Sequence, residues 1–211
     1  MKDRRMAVLR KVLYALSCVL VVASLRLWPA GALACACCAE PGTWYERTDR
    51  IDEYQWTELN RLRFDAVANV YAEAGEDAVK GISNPADEYT LTLSKQPRRW
   101  DLKYRDKQGR AGTLSLTIPT TAVQFGVDMH DAPQGAETQL YKEVRLTGAL
   151  TGTGIFKGGS TPQTKFRLIL QGRGNNCMAA EDFKNWTLQI FGPRASYTFY
   201  GSLKEPAPPK S

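Results

Sequence analysis

The sequence predicts an all-β domain, an antiparallel barrel or sandwich of about eight to nine strands, carried behind a cleaved N-terminal signal. Three observations predict it. Apolar residues alternate with polar ones at period two through most of the chain beyond residue 61, turn residues punctuate that alternation, and no helical period recurs. With 211 residues, 43% hydrophobic and 24% charged, the chain is long enough for one real core. It divides into a signal at 1–34, a cysteine-containing arm at 35–60, a single β domain at 61–204 and a proline-rich tail at 205–211, expected to be disordered.

The first segment reads as an address. Lys2, Arg4, Arg5, Arg10 and Lys11 precede an uncharged apolar run from Val12 to Leu25, followed by Pro29, Gly31 and the small residues Ala32 and Ala34. The run has 14 residues, whereas a spanning helix needs about 20. Cleavage before Cys35 is the simplest reading, and it predicts an exported protein, periplasmic, cell-surface or secreted. Cys35 directly after Ala32-Leu33-Ala34 is also similar to a bacterial lipobox, which makes it the lipidation candidate. Ala34-Cys35-Ala36 offers an alternative cut before Cys37. Any attachment to a membrane is expected only through that lipid or an uncleaved signal.

Charge follows the same division. The whole chain carries +6, which invites a nucleic-acid reading. Residues 1–34 hold six of the 28 basic residues and one of the 22 acidic ones, leaving 22 against 21. The domain itself is nearly neutral, and no nucleic-acid partner is expected.

Beyond the signal the cysteines are Cys35, Cys37, Cys38 and Cys177, and an oxidising compartment favours pairing. Cys37 or Cys38 is expected to bridge to Cys177. Cys-x-Cys-Cys also concentrates thiolates suited to zinc or copper(I), but no second pair and no nearby histidine completes a shell, so no metal is expected. The arm from Tyr45 to Asn60 is a charged lead-in without clear period, placed across a barrel mouth or sheet end.

The strands follow in order. Leu62, Phe64, Ala66, Ala68 and Val70 form one face of the first, and Tyr89, Leu91 and Leu93 one face of the second. Trp100, Leu102 and Tyr104 then alternate with charges, Asp106-Lys-Gln-Gly109 turns the chain, and Leu114, Leu116 and Ile118 complete a hairpin over 99–118. Val123, Phe125, Val127 and Met129 continue the pattern. Residues 140–156 read as a kinked or bulged strand, or as two joined at Thr151-Gly152. Phe166, Leu168 and Leu170 follow, then a helix-like turn at Met178–Phe183, then strands carrying Trp186, Leu188 and Ile190, and Tyr197, Phe199 and Leu203.

Gly42-Thr43-Trp44-Tyr45-Glu46, ahead of these strands, resembles the Gly-x-Trp-Tyr signature that opens the lipocalin barrel. The resemblance rests on those five residues. It implies a barrel whose closed end is covered by Trp44, with a lumen lined by inward residues. Ligand-pocket candidates are Trp44, Leu91, Leu102, Leu116, Phe125, Leu168 and Tyr197.

No catalytic residue is assigned. Nucleophile elbow, paired zinc histidines and phosphate-binding glycine loops are all absent from the sequence. His130, the single histidine, lies in Asp128-Met-His-Asp131 and reads as surface decoration; Glu181-Asp182 reads as a solvated pair. No cofactor is expected. The functional expectation is therefore a non-catalytic domain that binds a small apolar ligand or an envelope partner. The alternative is a structural protein of the cell envelope that uses a sheet edge and the N-terminal cysteines.

Overall fold

The computed structural model describes residues 37–71 and 79–208. The signal at 1–34 and the lipidation candidate Cys35 lie outside the described residues. Among the described residues, no helix is long and apolar enough to cross a membrane.

The elements in chain order are β1 (Trp44–Arg50), α1 (Glu53–Arg61), β2 (Arg63–Phe64), β3 (Val67–Val70), β4 (Glu88–Gln96), β5 (Arg99–Arg105), β6 (Ala111–Thr117), β7 (Thr121–Asp128), β8 (Leu140–Gly154), β9 (Lys165–Gly174), β10 (Phe183–Gly192) and β11 (Ala195–Lys204), with a short 3-10 turn at Ala180–Asp182. Eight strands close a ring in the order β3-β4-β5-β6-β8-β9-β10-β11, and β11 returns to β3. All pairings are antiparallel. The barrel option is the one the chain adopts.

β8 explains what lies outside the ring. Residues Val123–Asp128 of β7 pair with its first half, Leu140–Arg145, while β6 pairs with Leu150–Gly154. β9 runs along its other side from Leu140 to Ala149. One continuous strand thus serves two sheets, and β7 with β1 beyond it forms a wing that leaves the barrel wall. Gly148 sits at the changeover. A Cβ there would lie 2.5 Å from the Thr117 carbonyl oxygen and 2.9 Å from the Phe166 ring, so this crossing requires glycine.

A barrel of about eight strands has an interior just wide enough for side chains to fill. Here they fill it. Leu102, Leu114, Leu116, Leu146, Leu168, Leu170 and Leu188 from neighbouring strands all have no accessible surface. One end is packed with rings: Tyr104 stacks on Phe199 at 4.3 Å between centroids, and Phe156, from the turn after β8, meets Tyr104 at 5.4 Å and Tyr197 at 6.0 Å. At the other end Phe64 lies between Trp100 and Trp186, at 6.2 and 5.0 Å. Each such side chain contributes roughly 1.5–3 kcal/mol by leaving water.

Helix α1 lies in the segment expected to lack period, and it covers the Trp100 end. Its start is written in Asp52-x-x-Gln55: the Gln55 N–H donates to Asp52 Oδ1 at 2.7 Å and the Asp52 N–H to Gln55 Oε1 at 3.2 Å, a capping box. Leu59 is fully buried beneath it. At its C-terminal end Lys95 Nζ donates to the carbonyls of Leu59 and Leu62, both at 2.7 Å, and stands 4.4 Å from the Trp100 ring centroid. A cation at a helix C-terminus is where the dipole favours it. Buried Glu58 accepts from Arg61 and from the Ala180 N–H at 2.6 Å. Arg61 in turn donates to the Ala207 carbonyl at 2.8 Å and pairs with Glu181. Ala207, within the segment expected to be a disordered tail, is therefore pinned to the helix.

Two more expectations change in detail. The first strand is broken into β2 and β3 at Asp65-Ala66, where the Ala66 N–H turns to the Asp65 carboxylate at 2.6 Å. Of the two acids expected to be solvated, Glu181 is exposed and pairs with Arg61, whereas Asp182 is half-buried in an ion pair with Lys142.

Candidate functional site

The disulfide joins Cys37 to Cys177 across 140 residues of sequence. The bridge pins a short arm to the wing. The Asn176 N–H donates to the Cys37 carbonyl at 2.8 Å, the Asn176 side chain donates to the Cys38 carbonyl, and the Gly42 N–H donates to Asp128 Oδ2 at 2.8 Å. Cys38 is exposed. Among the described residues no cluster of three or more His, Cys, Asp or Glu converges on a metal position.

Of the pocket candidates, Leu91, Leu102, Leu116, Leu168 and Tyr197 point into the barrel and are part of its packed core. Trp44 and Phe125 do not. Trp44 is 67% exposed, so it covers no barrel end; α1, Trp100 and Phe64 occupy that place. On β7 it is Ala122, Gln124, Gly126 and Asp128 that are buried, while Val123, Phe125 and Val127 face outward, half-buried. The reason is what lies beneath the wing. The segment from Cys177 to Phe183 packs there, bringing Asp182 to Lys142 Nζ at 2.7 Å, and Lys142 also donates to the Cys177 carbonyl. The Tyr45 ring lies where a side chain on residue 126 would be, within 2.6 Å of its Cβ position. That space takes a buried ion pair, one ring and small residues, so the large apolar phase of β7 turns outward.

The outward phase builds a polar network across β1, β7, β8 and β9. The Tyr141 hydroxyl donates to Glu143 Oε1 at 2.6 Å, Arg145 Nε donates to Glu143 Oε2 at 2.6 Å, and Arg145 also reaches Glu46 at 3.2 Å. Arg145 stands 5.4 Å from the Phe125 ring centroid. Gln171 Nε2 donates to the Tyr141 hydroxyl at 3.0 Å, and its oxygen accepts from Thr187 at 3.4 Å, which fixes the amide's orientation. Burial raises the Glu143 carboxyl, but the hydrogen bonds from Tyr141 and Arg145 outweigh it and hold the group below its usual value. Burial and the bond to Glu143 push the Tyr141 phenol up. Both shifts lead away from neutrality, so neither group is poised for proton transfer near pH 7.

Beside this network opens a cleft of about 500 Å³ on the outer face of β3, β11, β10 and β9. Register places its walls. Tyr200 pairs with Asn69 on one side and Thr187 on the other, and Asn185 pairs with Ser202 and Gln171. Beneath the cleft, on the barrel side of the sheet, the fully buried Trp186 ring fills the space that a side chain at Gly201 would take: a Cβ there would lie 2.9 Å from that ring. A second depression of about 380 Å³ continues along the same face, lined by Tyr71, Arg167, Gln189, Phe191, Ser196 and Thr198. The signal for this face was present as the polar half of four strands. What hid it is that outward residues of any strand read as solvated, and nothing local says which of them meet.

His130 is 74% exposed in its side chain and adopts φ +55°, while Asp128 accepts its backbone N–H at 2.8 Å and the Gly42 N–H. That carboxylate ties the arm to the wing rather than orienting an imidazole. The basic residues near β5 are interleaved with acids as pairs, Arg99 with Asp101 at 3.0 Å and Lys107 with Glu88 at 3.3 Å. Comparison with protein-family models, with curated proteins and with solved structures finds no match.

Proposed function

We propose that this chain is an exported, non-catalytic binding domain that engages a component of the cell envelope through the outer face of β3, β11, β10 and β9. The observation that carries this reading is a contrast within one sheet: its inner face is packed solid, while its outer face carries a cleft of about 500 Å³ lined by amides, hydroxyls and an aromatic ring. An apolar ligand of the lipocalin kind needs a lumen, and the leucines and stacked rings of the interior leave it none. The disulfide supports an oxidising destination. Use of the β1 edge for assembly is less favoured, because Glu46, Arg47, Asp49 and Arg50 charge that edge strand, a pattern that discourages strand addition.

Two measurements test it. Intact-mass analysis of the chain expressed from its full sequence is expected to show loss of residues 1–34, with an acyl adduct on Cys35 if the protein is lipid-anchored. Retention of residues 1–34 on a cytosolic protein overturns export. Purified domain is expected to co-sediment saturably with isolated envelope material, and Tyr200→Ala to weaken this; absence of saturable co-sedimentation overturns the binding role.

A further inference from the structure

We infer that the ligand of this outer face is a neutral saccharide chain lying along β11, an inference that rests on the binding-domain reading above. Three kinds of group coincide there, and together they match the chemistry of a sugar ring, whose C–H face is apolar and whose rim carries adjacent hydroxyls that both donate and accept.

The first is a set of aromatic platforms. Tyr71, Tyr200 and Phe191 are 56%, 44% and 39% exposed, Tyr200 on β11, Phe191 on β10 and Tyr71 directly after β3. The Tyr71 N–H donates to the Thr198 carbonyl, Tyr200 pairs with Asn69, and Phe191 pairs with Ser196. With strands about 4.8 Å apart and same-face residues roughly 6.8 Å apart, the platforms are stepped along the face rather than gathered into one patch. An apolar docking surface would be contiguous; separated rings suit stacking of successive rigid units.

The second is an array of side chains that both donate and accept. Asn69, Asn185, Gln189, Ser202 and Thr198 project between the rings, and their side chains have no hydrogen-bond partner among the described residues. An amide offers donor and acceptor side by side, the pairing that adjacent hydroxyls require. Gln171, at the edge, has its amide orientation set in advance by Tyr141 and Thr187, which lowers the cost of ordering it on binding.

The third is charge. Asp65 is engaged by Lys204 at 3.3 Å, and Arg167 lies 6.0 Å from the Phe191 ring centroid. A polyanion needs several unpaired cations on one face; here Lys165 and Arg167 lie at the Phe191 end of β9, and among the described residues the cleft around Asn69, Asn185 and Tyr200 is lined by no Lys or Arg. The complement of such a surface is an uncharged polyol.

Isothermal titration of the purified domain with maltohexaose, cellohexaose and chitohexaose tests this. Saturable binding of at least one is expected, weakened about tenfold or more by Tyr200→Ala with an unchanged melting temperature. Asn185→Ala is expected to weaken it too, while Thr113→Ala, on the outer face of β6, leaves it unaltered. No saturable heat with any of the three at about 10 mM, or binding indifferent to both Tyr200→Ala and Asn185→Ala, overturns the inference. Saturable co-sedimentation with envelope material alongside that negative result removes the saccharide and leaves the binding role; failure of both removes both.

Discussion

The barrel and the wing are built from the same alternation and bury opposite halves of it. In β5 the large apolar phase, Trp100, Leu102 and Tyr104, points into the barrel, and the charged phase faces water. In β7 the large phase, Val123, Phe125 and Val127, points out, and Gln124, Gly126 and Asp128 are buried. A strand's period says that its two faces differ; what packs against each face decides which one is core. Beneath the barrel wall lie other apolar side chains. Beneath the wing lie the Lys142–Asp182 pair and a disulfide-tethered segment, which favour small and polar neighbours.

The comparison is tested most severely in the core. Trp100→Ala is expected to cost about 3–5 kcal/mol, read from the urea midpoint at constant slope, since a fully buried ring leaves a cavity that the barrel cannot collapse. A cost below about 1 kcal/mol would mean that the interior is loosely packed. Next comes the tether. Cys177→Ser is expected to lower stability by about 2–5 kcal/mol through release of the long loop, and to increase amide exchange in Gly42 and Thr43 more than in β5. Uniform loss of protection would place the disulfide's effect in the barrel instead.

A smaller effect concerns pH. The Gly42 and His130 N–H groups hold the Asp128 carboxyl below its usual range. A depressed folded-state value means that the stabilisation is complete above the unfolded value of about 3.9 and is lost as pH falls through the folded one. The unfolding midpoint is therefore expected to decline below about pH 4, and Asp128→Asn to flatten part of that decline. An unchanged acid limb in the variant would exclude this carboxylate as a contributor. The smallest change is Trp44→Ser, expected within about 0.5 kcal/mol of the parent because the ring is exposed. A loss of several kcal/mol would restore Trp44 as a structural plug.

Legibility in the sequence tracks these same differences. The hairpin at 99–118 was readable because alternation on both sides of Asp106-Lys-Gln-Gly109 agrees with a local turn, and Gly109 takes φ +82° there. β1 and α1 were not readable as elements. β1 is an edge strand with charges on both faces, so it shows no clean period, and α1 has one signal, the Asp52–Gln55 capping box. The cleft was legible only as unremarked polar residues on β3, β9, β10 and β11.

By itself the sequence determined an all-β chain, its turns and the inward set Leu91, Leu102, Leu116, Leu168 and Tyr197, because alternation and turn chemistry are local properties of the backbone. Closure of the ring through β11 and β3, the choice of Cys37 as the partner of Cys177, the reversed phase of β7 and the meeting of Asn69, Asn185 and Tyr200 in one cleft were decided by tertiary structure. Each depends on which distant segment comes to lie against a strand. No residue encodes that alone, since pairing and burial between strands are set by the packing of the whole sheet.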